Sequence, residues 1–140
     1  MSPLYRELHR WRGTPFIWGE SDCFLCCCDW IETVTGKDPA ADIRGTYDSR
    51  GSAHRETGYL RDPIGSIEKY LDTIGGLKRG DKLNAGDIGL IMMQESDGRR
   101  VPFAAIWLGE AWACKGPDGA TTISPEVVQV LASWEVGYEA

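Results

Sequence analysis

The segment with the clearest chemical potential is residues 16–23, FIWGESDC, which places a cysteine directly after a turn and a helix cap. The pattern predicts a short extended run, a turn at Gly19, a polar cap at Ser21 or Asp22, and a helix that begins near Cys23. A helix N-terminus carries partial positive charge and unpaired N–H groups, which favour thiolate over thiol. Because the thiolate is the nucleophile, Cys23 is the candidate nucleophile of this chain.

The other four cysteines leave two interpretations open. Cys26, Cys27 and Cys28 follow Cys23 in the same predicted helix, and Cys114 stands apart. Consecutive cysteines make a poor disulfide framework, so we expect reduced thiols. Cys-x-x-Cys is a known metal-ligand spacing, but side chains on one helix point in different directions. The favoured interpretation is therefore that Cys26, Cys27 and Cys28 are buried apolar side chains, with no metal and no cofactor.

Length and composition narrow the class of protein. The 140 residues suit one domain, residues 1–140, and 42% hydrophobic residues are ordinary for a globular chain. A net charge of −6 argues against a nucleic-acid partner. No apolar run has the roughly 18–20 residues that a membrane span needs. The N-terminal segment lacks the apolar stretch of a signal peptide, so we expect synthesis in the cytoplasm without a leader.

Hydrophobic periodicity predicts that helices come first and strands follow, which is typical of an α+β fold. Turn signals rich in Gly, Asp and Pro separate the elements, and residues 37–61 are predicted to be loop apart from a short helix at 41–47. The predicted helices cover residues 3–11, 22–35, 41–47, 64–74 and 124–131. The predicted strands cover residues 87–93, 101–108, 111–115 and 132–138.

The order of short motifs resembles the NlpC/P60 cysteine peptidases. Asp22-Cys23 starts a helix, Gly86-Asp87-Ile88 opens a strand, and residues 105–109, AIWLG, close the next one. A closer resemblance is to a branch of that superfamily found among phage tail genes. The shared patterns are Trp-Gly-x-x-Asp-Cys at 18–23, Thr-Gly-x-Asp-Pro-Ala at 35–40 and Arg-Gly-x-Tyr at 44–47.

The resemblance implies a papain-like fold, with N-terminal helices followed by an antiparallel sheet. It implies that Cys23 attacks a peptide carbonyl in the peptidoglycan stem while a strand histidine takes the thiol proton. It also implies a place in the virion, at the tail tip in the hub or baseplate. Other phage tail proteins would be its partners, and peptidoglycan its substrate.

This chain departs from the family pattern at the base. The strand that resembles the family's histidine strand has Phe103 at that position, and a shift of one residue gives Pro102 or Ala104. His54, in the predicted polar loop, is the remaining candidate base, although a solvent-exposed loop histidine is the favoured interpretation. Two hypotheses stay open. One is a catalytically degenerate tail component, and the other is an active tail-associated cysteine peptidase that cleaves peptidoglycan during cell entry.

Overall fold

The computed structural model describes residues 1–139 and has an α+β architecture, as predicted. Four α-helices precede a five-stranded antiparallel sheet in that part of the chain. The helices are α1 (Pro3–Gly13), α2 (Cys23–Thr35), α3 (Arg50–Thr57) and α4 (Pro63–Leu71), with short 3-10 turns at Asp72–Ile74 and Pro125–Val127. The strands are β1 (Ile88–Gln94), β2 (Arg100–Trp107), β3 (Trp112–Gly116), β4 (Gly119–Ile123) and β5 (Gln129–Trp134).

The sheet has the strand order β4-β3-β2-β1-β5, and α2 packs across β2 and β3. This arrangement buries one face of the sheet, since α2 contributes apolar side chains along its length. The indole of Trp30 is fully buried there and donates its N–H to the carbonyl of Gly86 at 2.8 Å. The main core contains Leu8, Trp11, Cys27, Trp30, Ile31, Leu71, Ile88, Ile106 and Trp134.

A buried lysine joins the first helix to the sheet. Lys115 on β3 is 1% exposed, and its ammonium donates to the carbonyl of Trp11 at 2.5 Å and to the carbonyl of Thr14. These carbonyls lie at the end of α1, where carbonyls lack the usual helical N–H partner, and the N–H of Thr14 reaches the Trp11 carbonyl at 3.3 Å. The contact therefore caps α1 and fixes the start of the loop that leads to Cys23.

Most predicted elements are confirmed. Helices lie at the predicted 3–11, 22–35 and 64–74, the last ending as a 3-10 turn, and strands lie at 87–93, 101–108 and 111–115. Part of the predicted strand at 132–138 is also confirmed, because β5 covers Gln129–Trp134. No helix described in residues 1–139 is long and apolar enough to cross a membrane.

Three predictions of local structure were wrong. Residues 41–47 form turns rather than a helix, with Gly45 at φ +75°. The predicted helix over 124–131 is only a 3-10 turn at Pro125–Val127, after which the chain enters β5. The predicted loop around His54 instead contains α3, which is capped by Ser49 and holds His54 within it.

Candidate functional site

Cys23 lines a cavity of about 400 Å³ beside the N-terminus of α2. The walls come from the loop before α2, from α3, from the first half of β2 and from the turn after β3. Most of the lining is apolar and aromatic, and the charged lining groups other than Asp22 lie on α3, on the β1–β2 hairpin and on the β3–β4 turn. The aromatic side chains are Phe16, Trp18, Phe24, Tyr47, Tyr59 and Phe103.

Asp22 is the residue that shapes the cysteine end of this cavity. Its side chain is buried and caps α2, since Oδ1 accepts the N–H of Leu25 at 3.0 Å. Oδ2 accepts the N–H of Gly19 at 3.0 Å and the hydroxyl of Tyr47 at 2.8 Å. Because both oxygens already have donors, Asp22 holds the loop, the helix and Tyr47 together.

Gly19 allows the loop to pass very close to Tyr47. Its φ is +84°, and a Cβ at this position would lie 1.9 Å from the carbonyl oxygen of Tyr47. Gly36, the C-cap of α2, offers a matched comparison, because its φ is +79° and a Cβ there would meet no heavy atom within 4 Å. The two glycines share a left-handed backbone and differ in the available space.

Gly19→Ala is expected to lower the free energy of unfolding by about 3 kcal/mol. The left-handed conformation costs an alanine roughly 1–2 kcal/mol, and the forced backbone shift adds about 1–3 kcal/mol. Gly36→Ala is expected to cost only the first of these amounts. Urea denaturation of both variants measures the difference, and equal losses would contradict the close approach to Tyr47.

The environment of Cys23 keeps its thiol protonated. The side chain is partly exposed to the cavity but surrounded by protein, and burial raises the pKa of Cys23 to about 12. The adjacent Asp22 carboxylate raises this pKa further, while the backbone N–H groups of Ala104, Phe24 and Cys23 itself lower it. The net direction is opposite to the one expected from a helix N-terminus alone, because desolvation outweighs the effect of the helix.

Neither histidine lines the cavity around Cys23. His54 lies on α3 with its Nδ1 accepting the N–H of Leu60 at 3.2 Å, and its ring stacks edge-on against Tyr59 with centroids 6.1 Å apart. His9 is exposed on α1. Among the residues that the structure describes, the cavity wall therefore contains no imidazole.

The strand that faces Cys23 is the one that the motif comparison singles out. Pro102, Phe103 and Ala104 of β2 all line the cavity, and the backbone of Ala104 is among the groups that lower the pKa of Cys23. None of these three side chains can accept a proton. The structure thus brings Cys23 and the strand of Phe103 together, and none of the three strand side chains is a base.

Cys26, Cys27 and Cys28 are buried, which confirms their interpretation as core residues, and Cys114 is buried as well. Cys26, Cys27 and Cys28 are each 0% exposed, and Cys114 is 3% exposed. Burial raises the pKa of all four thiols. Over residues 1–139, no three His, Cys, Asp or Glu side chains form a group that could hold a metal ion.

An ion pair that no sequence motif indicates borders the cavity. Arg50, at the start of α3, donates to both carboxylate oxygens of Glu95 on the β1–β2 hairpin, one of them at 3.3 Å. This hydrogen bond is the main cause that raises the pKa of Arg50. Segments 45 residues apart in the chain are joined here, and no local pattern indicates such a pairing.

These features define an α+β protein with an aromatic cleft built around a cysteine at a helix N-terminus. Residues 2–136 match a protein family described as a domain of unknown function (DUF6950), and the chain belongs to that family. No curated protein matches the chain, and no solved structure does.

Proposed function

We propose that the protein is a component of a phage or prophage tail tip, in the hub or baseplate, with an NlpC/P60-like fold that has lost peptidase activity. The observation that carries the loss of activity is the cavity around Cys23, whose described lining contains no imidazole. The fold assignment is supported by the helix-then-sheet order and by a cysteine that begins α2 opposite β2. The tail context depends on the motifs at 18–23, 35–40 and 44–47.

The chemistry of the thiol supports the same proposal. With its pKa raised to about 12 by burial, the thiol of Cys23 is protonated at pH 7. General acid–base catalysis, worth about 10²–10⁴-fold, has no group on β2 to provide it. A cleft of this kind is suited to holding a partner rather than to cutting a peptide bond.

The alternative is an active tail-associated cysteine peptidase that cleaves peptidoglycan stem peptides. The observation in its favour is the set of backbone N–H groups from Cys23, Phe24 and Ala104 around the sulfur, since such donors stabilise negative charge. In this alternative Cys23 is the nucleophile, and His54 would have to leave Leu60 and enter the cavity.

A peptidoglycan digestion separates the two functions. The purified protein and Cys23→Ala are incubated with sacculi beside a known peptidoglycan hydrolase, and released stem peptides are measured by mass spectrometry. We expect equal, background-level release from both proteins. Release by the wild type that Cys23→Ala abolishes would establish the peptidase. For the structural role, deletion of the gene in its phage is expected to prevent complete tails, whereas normal tails with only an entry defect would contradict it.

Thiol alkylation gives an independent measure of the same site. At pH 7.5, iodoacetamide is expected to modify native Cys23 roughly 100-fold or more slowly than Cys23 in the urea-unfolded chain, because the thiolate is the reacting form. Tandem mass spectrometry resolves Cys23 from its neighbours, and the unfolded chain is the internal reference. A native rate equal to or above the unfolded rate would show an activated thiol and favour the peptidase.

A further inference from the structure

Strand β2 has a partner along its whole length on one side only. On the β1 side, pairing runs from Ile88–Ile106 to Gln94–Arg100. On the β3 side, pairing is limited to Ile106–Ala113 and Trp107–Trp112. Beyond that point β3 diverges, so the first half of β2 presents an edge without a strand partner among residues 1–139.

The direction of the backbone groups follows from the alternation along β2. Trp107 donates its N–H to the carbonyl of Asp87, and its carbonyl accepts the N–H of Gly86, both on the β1 side. The backbone N–H and C=O groups of β2 residues at odd positions therefore point toward β1. The backbone N–H and C=O groups of residues at even positions point toward the β3 side. Leu108 agrees with this alternation, since its N–H donates to Ala111 across the β2–β3 turn at 2.8 Å.

Two thiols occupy the edge at Ala104. The Cys114 thiol donates to the carbonyl of Ala104 at 3.8 Å, and Cys23 and Ala104 line the same cavity. The next even position is Pro102, which lines the cavity and has no N–H. A proline is tolerated there because no neighbouring strand needs its N–H. Its carbonyl faces the space that β3 leaves open.

The space beside Pro102 has the shape and lining of a side-chain pocket. Phe16 and Trp18 stack edge-to-face, with centroids 5.1 Å apart, on the loop that forms one wall. Tyr59 stands on the α3 side. The Arg50–Glu95 ion pair joins α3 to the β1–β2 hairpin, and Asp118 on the β3–β4 turn adds a carboxylate to the lining.

We propose that this cavity binds an extended peptide segment of a partner protein, which inserts one apolar side chain and donates a backbone N–H to the carbonyl of Pro102. The inference rests on the proposed function, because a cleft that does not cleave can retain a peptide. Backbone pairing at an open strand edge with a pocket for one side chain is a general mode of peptide recognition. A purely apolar small molecule would leave the Pro102 carbonyl without a donor, which favours a peptide.

A peptide-library selection tests the proposal. A random dodecapeptide library is selected on the immobilised protein, and enriched peptides are synthesised and measured by calorimetry. We expect the enriched peptides to contain an aliphatic or aromatic residue and to have no proline at the adjacent positions. In the protein labelled with ¹³C, the carbonyl resonance of Pro102 is expected to shift on binding. N-methylation at one peptide position is expected to weaken binding at least 10-fold, because it removes the donor to Pro102.

A matched pair of variants locates the binding site. Thr57 and Thr33 are both helical threonines whose hydroxyls donate to the carbonyl four residues earlier, Ala53 and Asp29 respectively. Thr57 lines the cavity, and Thr33 is exposed on α2. Thr57→Phe is expected to weaken binding of the selected peptides at least 10-fold, and Thr33→Phe is expected to leave their binding unchanged.

The outcomes separate this inference from the proposed function. An absence of enriched peptides, equal binding to both threonine variants, or no effect of N-methylation would overturn the inference. The digestion assay is unaffected by any of these results. Release of stem peptides by the wild type would instead overturn the proposed function.

Discussion

Raising the pH from 8 to 9.5 is expected to lower the free energy of unfolding by several kcal/mol. Burial raises the pKa of Cys23 and Cys26 to about 12, and raises those of Cys27, Cys28 and Cys114 as well. In the unfolded chain, thiols ionise near pKa 8.5. The unfolded state therefore binds fewer protons above this pH, and each thiol that stays protonated in the folded state costs about 1 kcal/mol over the interval.

The sign of this effect is fixed by the raised pKa values. The contribution of each thiol is fully present below its unfolded pKa and is lost as pH rises toward its folded pKa. Since the total stability of a domain is about 5–15 kcal/mol, the loss brings the protein close to unfolding. Urea denaturation under reducing conditions at several pH values measures it.

Cys27→Ala provides the control for the alkaline loss. Its absolute stability differs from the wild type because a core atom is removed, so the slope against pH is the quantity to compare. Above pH 9, the free energy of unfolding of Cys27→Ala is expected to decrease less steeply with pH than that of the wild type. The difference in slope is about 1.4 kcal/mol per pH unit, which corresponds to nearly one proton. A free energy of unfolding that does not change with pH, or a slope that Cys27→Ala leaves unchanged, would contradict the buried protonated thiols.

Asp22→Ala is expected to destabilise the protein by about 3 kcal/mol. Loss of the cap on α2 costs roughly 0.5–2 kcal/mol, and the unpaired Tyr47 hydroxyl costs about 1–3 kcal/mol because it is buried. The N–H of Gly19 also loses its acceptor. Thermal and urea unfolding at pH 7 measure the change.

A second aspartate cap isolates the contribution of the buried contacts. Asp62 caps α4 by accepting the N–H of Gly65 at 3.0 Å, and it is exposed. Asp62→Ala is expected to cost about 1 kcal/mol, the usual cost of a lost cap. A loss in Asp22→Ala no greater than in Asp62→Ala would mean that the contacts with Tyr47 and Gly19 add nothing.

The parts of the fold that were predictable have strong periodicity or clear caps. Helix α2 combines an apolar face with Asp22 before it and Gly36 after it, and both caps are as expected. Helix α3 was missed because RGSAHRET has no apolar stripe and buries only Ala53. Its cap pairs two serines, Ser49 and Ser52, rather than the usual serine and glutamate.

The C-terminal strands were harder to predict for a different reason. Strand β4, GATTI, lies at the sheet edge and has no buried residue, so it lacks an apolar pattern. Pro125 is a favourable first helical residue, yet the following segment pairs with β1 as β5. Tertiary pairing outweighs a local signal there, because Trp134 is fully buried against the core.

The candidate site was predictable in its position but not in its electrostatics. Cys23, its cap and the opposing strand at Phe103 follow from the order of motifs along the chain. The raised thiol pKa depends on desolvation, which requires knowing that α3 and β2 enclose the sulfur. The contacts of Tyr47 with Asp22 and of Arg50 with Glu95 join segments distant in sequence, so no local spacing indicates them.

The buried ammonium of Lys115 sets an order of events in folding. Its contacts with Trp11 and Thr14 span 104 and 101 residues, and contacts of such separation form late because a long loop must close. The segment around Cys23 is among the first to be synthesised, and hydrogen bonds of Gly19 with Asp22 and of Ser21 with Pro15 and Ile17 hold its loop together locally. During translation, a nascent chain that ends before Lys115 therefore has this loop without its connection to the sheet, which forms only when β3 is present.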